Sequence, residues 1–143
     1  MEENAYLITG ATSGIGKSIS LALAEKKARL FLIVRDLEKY NQVFYGYNNC
    51  TPILLDLAEV DNIESVLKSK IDCKLSGVVL AAGIEETFPI KLYSPKKIKS
   101  FFDINFFSNF EILRIVTSKK YINNNSSLVI MSSVMSELGQ PGK

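Results

Sequence analysis

Short apolar runs alternate along the chain with stretches whose apolar residues recur at helical spacing. The runs that predict strands cover residues 6–8, 29–34, 52–55, 75–83 (with the turn that follows) and 127–131. The run at residues 29–34 is continuous rather than alternating, which is typical of a strand buried on both faces of a parallel sheet. Helical spacing is present after the first run and again over residues 36–44, 61–67 and 95–120. This order of elements predicts an α/β protein.

Polar residues between these runs predict where helices begin and where the chain turns. Asp61 and Glu64 have the spacing of a capping box, which predicts that a short amphipathic helix begins there. Ser94 followed by Pro95 predicts the start of the long helix, because serine caps well and proline suits the first turn. We interpret residues 123–126, Asn-Asn-Asn-Ser, as a polar turn rather than a domain boundary.

A glycine-rich stretch, Thr-Gly-Ala-Thr-Ser-Gly-Ile-Gly, fills residues 9–16 between the first strand and the first helix. Strand, glycine turn and helix N-terminus together make a phosphate-binding arrangement, because unpaired N–H groups and partial positive charge attract pyrophosphate. Gly10 would allow a sharp exit from the strand, Gly14 a close approach of ligand to backbone, and Gly16 close packing of helix on strand. The alternative is an ordinary connection between a strand and a helix.

The spacing Thr-Gly-x-x-x-Gly-x-Gly resembles the cofactor fingerprint of the short-chain dehydrogenase/reductase family. Further matches follow in the family's order and cover essentially the whole chain. The resemblance implies a doubly wound Rossmann-type parallel sheet with strand order 3-2-1-4-5, as one partial NAD(P)-binding domain over residues 1–143 whose later strands are missing. It also implies these cofactor-binding residues: Gly10, Thr12, Ser13, Gly14, Ile15, Gly16, Arg35, Asp56, Leu57, Ala81, Ala82 and Gly83.

Two strand ends bear on the choice of cofactor. Val34 stands where an acid would bond the ribose hydroxyls of NAD, and the next residue, Arg35, could pair with a 2′-phosphate. NADP(H) is therefore favoured over NAD(H), although Ser13 replaces a second basic residue found in many NADP-using members. The alternative makes Arg35 a solvated turn residue paired with Asp36 or Glu38. Asp56 resembles the acid that contacts the adenine amino group, and otherwise it is simply an Asp that closes a strand.

One element of the family is altered after the fourth strand. Residues 80–83, Leu-Ala-Ala-Gly, stand where the family has Asn-Asn-Ala-Gly, so both asparagines are replaced. In the family this element supports the sheet beside the cofactor. The replacement predicts weaker local support more than lost binding.

The resemblance also implies two catalytic residues. Ser133 matches the serine that polarises the substrate carbonyl, and Asn105 matches an active-site asparagine in an Asp-x-Asn context. Alternatively, Ser133 is an ordinary strand-end serine. Asn105 could instead kink its helix while bonding to backbone, and in the family this is compatible with the active-site role. Residues 139–142 continue the family's pattern for the next loop.

The family's chemistry also needs a tyrosine about a dozen residues after that serine and a lysine four residues later. The sequence ends at Lys143, and none of its 6 tyrosines has such a lysine in a suitable place. We therefore expect an NADP(H)-dependent oxidoreductase of carbonyls or alcohols, represented by an inactive cofactor half. The alternative is a non-catalytic dinucleotide-binding or interaction module.

Composition excludes several other classes. The chain has 143 residues, 47% of them apolar, and a net charge of +2, so it predicts a folded domain that does not bind nucleic acid. No histidine is present, which removes His-based catalysis and His metal sites, and no metal site is expected. The 2 cysteines predict reduced thiols in a cytoplasmic protein. Glu2 and Glu3 have the wrong charge for a signal peptide, and the apolar runs are too short for a membrane span, so neither is expected. The aromatic helix at residues 95–120 predicts a homo-oligomer.

Overall fold

A five-stranded, all-parallel sheet forms the centre of the computed structural model, which describes residues 4–134 and 137–138. The loop pattern expected at residues 139–142 lies outside these residues. The strands are β1 (Ala5–Thr9), β2 (Arg29–Val34), β3 (Cys50–Leu54), β4 (Leu75–Leu80) and β5 (Ile122–Ile130). Their order is β3-β2-β1-β4-β5, and every neighbouring pair is parallel. The predicted α/β class and strand order are confirmed.

Helices follow the strands in alternation. They are α1 (Gly14–Glu25), α2 (Leu37–Val43), α3 (Ile63–Lys70), α4 (Pro95–Phe102) and α5 (Ser108–Val116). A π-helical segment, Asp103–Phe107, joins α4 to α5, so the predicted long helix contains a wide turn and ends at Val116 rather than near residue 120. Short 3₁₀ turns cover Val60–Asn62 and Ile90–Leu92. As predicted, Ser94 caps α4 by accepting from the Lys97 amide, with Pro95 as the first helical residue.

The core has two apolar layers, one on each face of the sheet. Strand residues such as Leu7 and Phe31 pack with residues of α3 and α5. Their neighbours Ile8 and Leu32 belong to the other layer, which includes residues of α1 and α2. Successive side chains of a strand point to opposite faces of the sheet, so these two layers lie on opposite faces. Helices therefore cover both faces. This arrangement confirms the doubly wound architecture.

The predicted capping box at Asp61 is wrong. Asp61 lies inside the 3₁₀ turn Val60–Asn62, and α3 begins at Ile63 with no side-chain cap bond from Asn62. Glu64 pairs instead with Lys68 and Arg114. Because of the 3₁₀ turn, the helix starts at residue 63 instead of residue 61. The exposed Glu64 carboxylate pairs with cations rather than with a backbone amide.

The predicted polar turn at residues 123–126 is part of β5. Ile122 lies opposite Leu75, and Ser127 lies opposite Gly77, so β5 uses five residues where β4 uses two. The Ser126 hydroxyl accepts from the Asn123 amide and donates to the Leu75 carbonyl. The asparagine-rich stretch therefore forms an irregularity inside the strand, stabilised by a side chain that replaces missing ladder bonds.

Candidate functional site

The glycine-rich connection between β1 and α1 needs glycine for two separate reasons. Gly10 has φ +68°, and a Cβ there would lie 2.9 Å from the Ala81 carbonyl oxygen. A Cβ at Gly16 would lie 2.5 Å from the carbonyl oxygen of Gly10, so α1 can approach the strand only without a side chain. Gly14 has φ +51°, and a Cβ there would have no neighbouring atom within 4 Å. The connection is tight on its inner side and free on its outer side.

The N-terminus of α1 is open to a ligand. Its N-cap residue Ser13 makes no side-chain bond to the helix, and no acidic residue lies in the first turn. Ser13, Gly14 and Ile15 are exposed, and Thr12 is half-buried. The amides of this turn carry the partial positive charge of the helix, so the turn can bind an anion.

A cleft of about 260 Å³ lies beside this turn, at the carboxyl ends of the first four strands. It brings together most of the expected cofactor residues: Gly10, Thr12, Ser13, Arg35, Asp56, Leu57, Ala81, Ala82 and Gly83. Gly14, Ile15 and Gly16 do not line the cleft and belong to the adjoining first turn of α1. Lys39 also lines it, a cation that sequence reasoning missed. Its four-residue spacing from Arg35 was the signal that could have revealed it.

The charged residues of the cleft differ in their partners. Among the residues that the structure describes, Arg35 pairs with neither Asp36 nor Glu38. Asp36 caps α2 by accepting from the Lys39 amide, with a distance of 3.0 Å. Asp56 accepts from the Ala58 amide, also at 3.0 Å. The carboxylates are therefore oriented by backbone, whereas the Arg35 guanidinium is available to a ligand.

Thr9 supports the turn after β4, where asparagines were expected. Its fully buried hydroxyl accepts hydrogen bonds from the Ala81 amide at 3.0 Å and the Ala82 amide at 2.9 Å. One side chain on β1 thus orients two consecutive backbone groups at the end of β4. Sequence reasoning missed this residue, although it opens the glycine-rich stretch.

Asn105, in the π-helical segment, connects the long helix to the loop after β4. Its side-chain oxygen accepts from the Ile84 amide at 2.9 Å, and its side-chain nitrogen donates to the Ile84 carbonyl at 3.0 Å. A Cβ at Gly83 would lie 3.0 Å from the Asn105 oxygen, so the loop passes close to the amide. Asn109 donates to the Asn105 carbonyl at 2.9 Å. The Asn105 side chain is therefore hydrogen-bonded to the backbone of Ile84 at both its oxygen and its nitrogen.

A second, larger groove of about 1030 Å³ continues from the cleft, because both share the wall at residues 81–84. Asn105, Ser132 and Ser133 line it together. Most of the remaining wall is apolar or aromatic and comes from the segment after β4 and from α4: Ile84, Phe88, Pro89, Ile90, Ile98, Phe101 and Phe102. Sequence reasoning did not assign this segment to the site.

Tyr93 also lines the groove, and Lys97 follows it by four residues. The Tyr93 hydroxyl donates to the Glu86 carbonyl at 3.0 Å. The Lys97 ammonium lies over the Phe88 ring, 4.4 Å from its centroid. The phenol and the ammonium thus have different partners, so this pair is not arranged as an acid/base couple.

The two thiols lie away from the cavities. Cys50 and Cys73 form no disulfide, and burial raises the pKa of Cys50 to about 11. Neither lines the cleft or the groove. A protonated, buried thiol does not act as a nucleophile, so Cys50 has a packing role.

Neither a metal cluster nor a membrane-spanning helix is present among the described residues. No group of three or more His, Cys, Asp and Glu residues there is placed to hold a metal ion. No helix within residues 4–134 has the length and apolar character needed to cross a membrane.

Comparison with known proteins places these features in context. The family described as short chain dehydrogenase matches residues 4–143. An uncharacterized oxidoreductase of Staphylococcus epidermidis is 24% identical over 137 residues, which cover 94% of this chain and 60% of that protein. The chain therefore spans about 60% of the length of this curated relative.

Two solved structures share the fold. A 3-oxoacyl-[acyl-carrier protein] reductase from Brucella melitensis in complex with NAD has a TM-score of 0.80 and 23% identity, and the alignment covers 100% of this chain and 60% of that one. ElxO with NADP bound has a TM-score of 0.82 and 18% identity, with 98% and 59% covered.

Proposed function

The chain belongs to the short-chain dehydrogenase family, and on that premise we propose that it binds NADP(H) at the carboxyl edge of its sheet. The observation that carries the proposal is the cleft beside the glycine-rich turn, which gathers a helix N-terminus, an available arginine and an acid at three neighbouring strand ends. Ligands of open α/β sheets bind at such an edge, where the strand order reverses.

The residues present fit a dinucleotide. The open space before Gly14 and the uncapped first turn of α1 suit a pyrophosphate, because backbone amides can approach it closely. Asp56 and Leu57 lie where adenine would bind, and the turn at residues 81–83 would line the path toward the nicotinamide. Thr9 holds the amides of this turn in place.

The choice of NADP(H) over NAD(H) rests on Arg35. The two solved structures of this fold hold NAD in one case and NADP in the other, so the fold accepts both. Arg35 lines the cleft with no carboxylate partner among the described residues, which favours a ligand that carries a phosphate there.

For the whole protein we propose the reduction of a carbonyl or oxidation of an alcohol. When bound, the nicotinamide supplies or accepts the hydride. The Ser133 hydroxyl would donate a hydrogen bond to the substrate oxygen, and Asn105 would hold the loop at Ile84 against the reacting centre. The aromatic wall of the groove suits an apolar substrate.

For these 143 residues alone we propose dinucleotide binding without turnover. No phenol paired with a lysine lines the groove in the described residues, and the phenol of Tyr93 is bonded to a backbone carbonyl. A general acid or base contributes about 10²–10⁴-fold to such a reaction. The second candidate function is a non-catalytic dinucleotide-binding or interaction module in the cytoplasm, a compartment that thiols without a disulfide suit.

We also propose self-association through the helix from Pro95 to Val116. Phe102, Phe106, Phe107 and Phe110 are 49%, 56%, 45% and 59% exposed along it. Apolar area of this extent is commonly buried by association.

Calorimetric titration with NADP⁺ and NAD⁺ tests the binding proposal. We expect tighter binding of NADP⁺, and loss or reversal of this preference in Arg35→Asp, since a charge-assisted bond to phosphate contributes about 1.5–3 kcal/mol. Lys96→Asp is the matched control, because it makes the same kind of charge reversal at an exposed residue that lines neither cavity. If the unmodified chain binds NADP⁺ and NAD⁺ with equal affinity, Arg35 does not determine a cofactor preference.

A further inference from the structure

A second cation lines the adenosine end of the cleft. Lys39 lies four residues after Arg35, on the first turn of α2, and both exposed side chains contribute to the wall of the 260 Å³ cleft. Over residues 4–134 and 137–138, neither side chain forms an ion pair with a carboxylate. Two cations that line one cavity without carboxylate partners favour an anion that carries more than one negative charge.

The acids of the same cleft do not neutralise these cations. The Asp36 carboxylate accepts a hydrogen bond from the Lys39 backbone amide at 3.0 Å, and the Asp56 carboxylate accepts one from the Ala58 amide at 3.0 Å. Lys39 thus completes the cap of α2 with its amide alone, while its ammonium takes no part in the cap. The side chain can be changed without removing the cap bond.

We propose that Lys39 acts with Arg35 in binding the 2′-phosphate of NADP(H) and is a specificity-determining residue of this chain. The inference rests on the proposed function, because it requires a dinucleotide in this cleft. A phosphate monoester carries about 1.5–2 negative charges near neutral pH. The arginine fork can bond two phosphate oxygens, and the lysine ammonium adds a second, point-like charge. NAD(H) has a hydroxyl at this position and gains little from either group.

Titration of three variants with NADP⁺ and NAD⁺ tests this inference. Lys39→Met removes the charge but keeps an unbranched side chain and the backbone cap. We expect NADP⁺ affinity to fall about 3- to 10-fold and NAD⁺ affinity to change less than about 2-fold. Lys39→Arg should keep the preference. Lys96→Met removes one exposed positive charge that lines neither cavity and should leave both affinities unchanged.

The outcomes separate this inference from the proposed function. If the unmodified chain prefers NADP⁺ and Lys39→Met keeps the full preference, Lys39 is not a determinant and the proposed function stands. An equal loss in Lys39→Met and Lys96→Met would indicate general electrostatics and would also overturn the assignment. If the unmodified chain binds neither nucleotide, the proposed function and this inference both fail.

Discussion

The two edge strands of the sheet differ in length and cover. β3 has five residues and contains Pro52, which lacks an N–H, and the Tyr40 hydroxyl of α2 donates to the Cys50 carbonyl at 2.7 Å. β5 has nine residues, and its Leu128, Val129 and Ile130 are 43%, 44% and 54% exposed. Proline and a covering helix limit pairing at the β3 edge, whereas the β5 edge stays available.

This difference separates the two cavities as well. The cleft proposed for the dinucleotide lies toward β3, where the carboxylates of Asp36 and Asp56 are oriented by backbone amides. The larger groove lies toward β5, where Met131, Phe88 and Phe102 are exposed. Three substitutions test how far this contrast extends.

The largest expected effect is on the packed side. Leu32→Ala removes a side chain that is 0% exposed, so we expect a loss of about 2–5 kcal/mol in the free energy of unfolding. Leu128→Ala, the matched change on β5, removes a side chain that is 43% exposed and should cost less than about 1.5 kcal/mol. Urea denaturation of both variants measures the difference. Similar losses would show that β5 is as well packed in solution as β2.

Sequence reasoning was most accurate where burial was most complete. The bounds of β2 were predicted without error, because six consecutive residues of a doubly covered strand leave little choice of register. The start of β5 was missed, because residues 123–126 have the polarity of a turn and are held in the strand by the Ser126 bonds and by the pairing of Ile122 with Leu75. Tertiary contacts, rather than local preference, determine that segment.

At the site, the family pattern located residues but not their partners. Arg35 and Asp56 line one cleft as the resemblance implied, yet Lys39 was overlooked because no motif contains it. The wide turn at Asp103–Phe107 and the bond pair from Asn105 to Ile84 depend on two segments that meet only in the folded chain. The spacing of residues along the sequence does not predict contacts between segments that are far apart in the chain.

The second prediction concerns the contact between the end of β1 and the turn after β4. Thr9→Val keeps the shape of the side chain but removes the acceptor of the Ala81 and Ala82 amides. We expect about 1–3 kcal/mol lower stability, because two partly buried amides lose their partner. Thr51→Val on β3 is the control, since that residue is exposed. Amide hydrogen exchange should show faster exchange at residues 81 and 82 in the first variant alone, and unchanged exchange would remove Thr9 as their support.

The smallest expected effect lies at the surface of the helix layer, where charges join α3 to α5. Hydrogen bonds from Lys68 and then Arg114 lower the pKa of Glu64, and Arg114 lowers the pKa of Glu111. Carboxyl groups with a lowered pKa in the folded chain add stability above the unfolded value of about 4.3, and this part is lost as pH falls through the folded values.

Arg114→Met should therefore make the free energy of unfolding fall less steeply than in the unmodified chain when the pH is lowered from about 6 to about 3. Lys119→Met is the control, because this exposed lysine forms no ion pair with any residue that the structure describes. Salt should reduce the difference, since the network is exposed and screened. Identical pH slopes at low salt would mean that the ion pairs add nothing to the apolar contacts that hold α3 against α5.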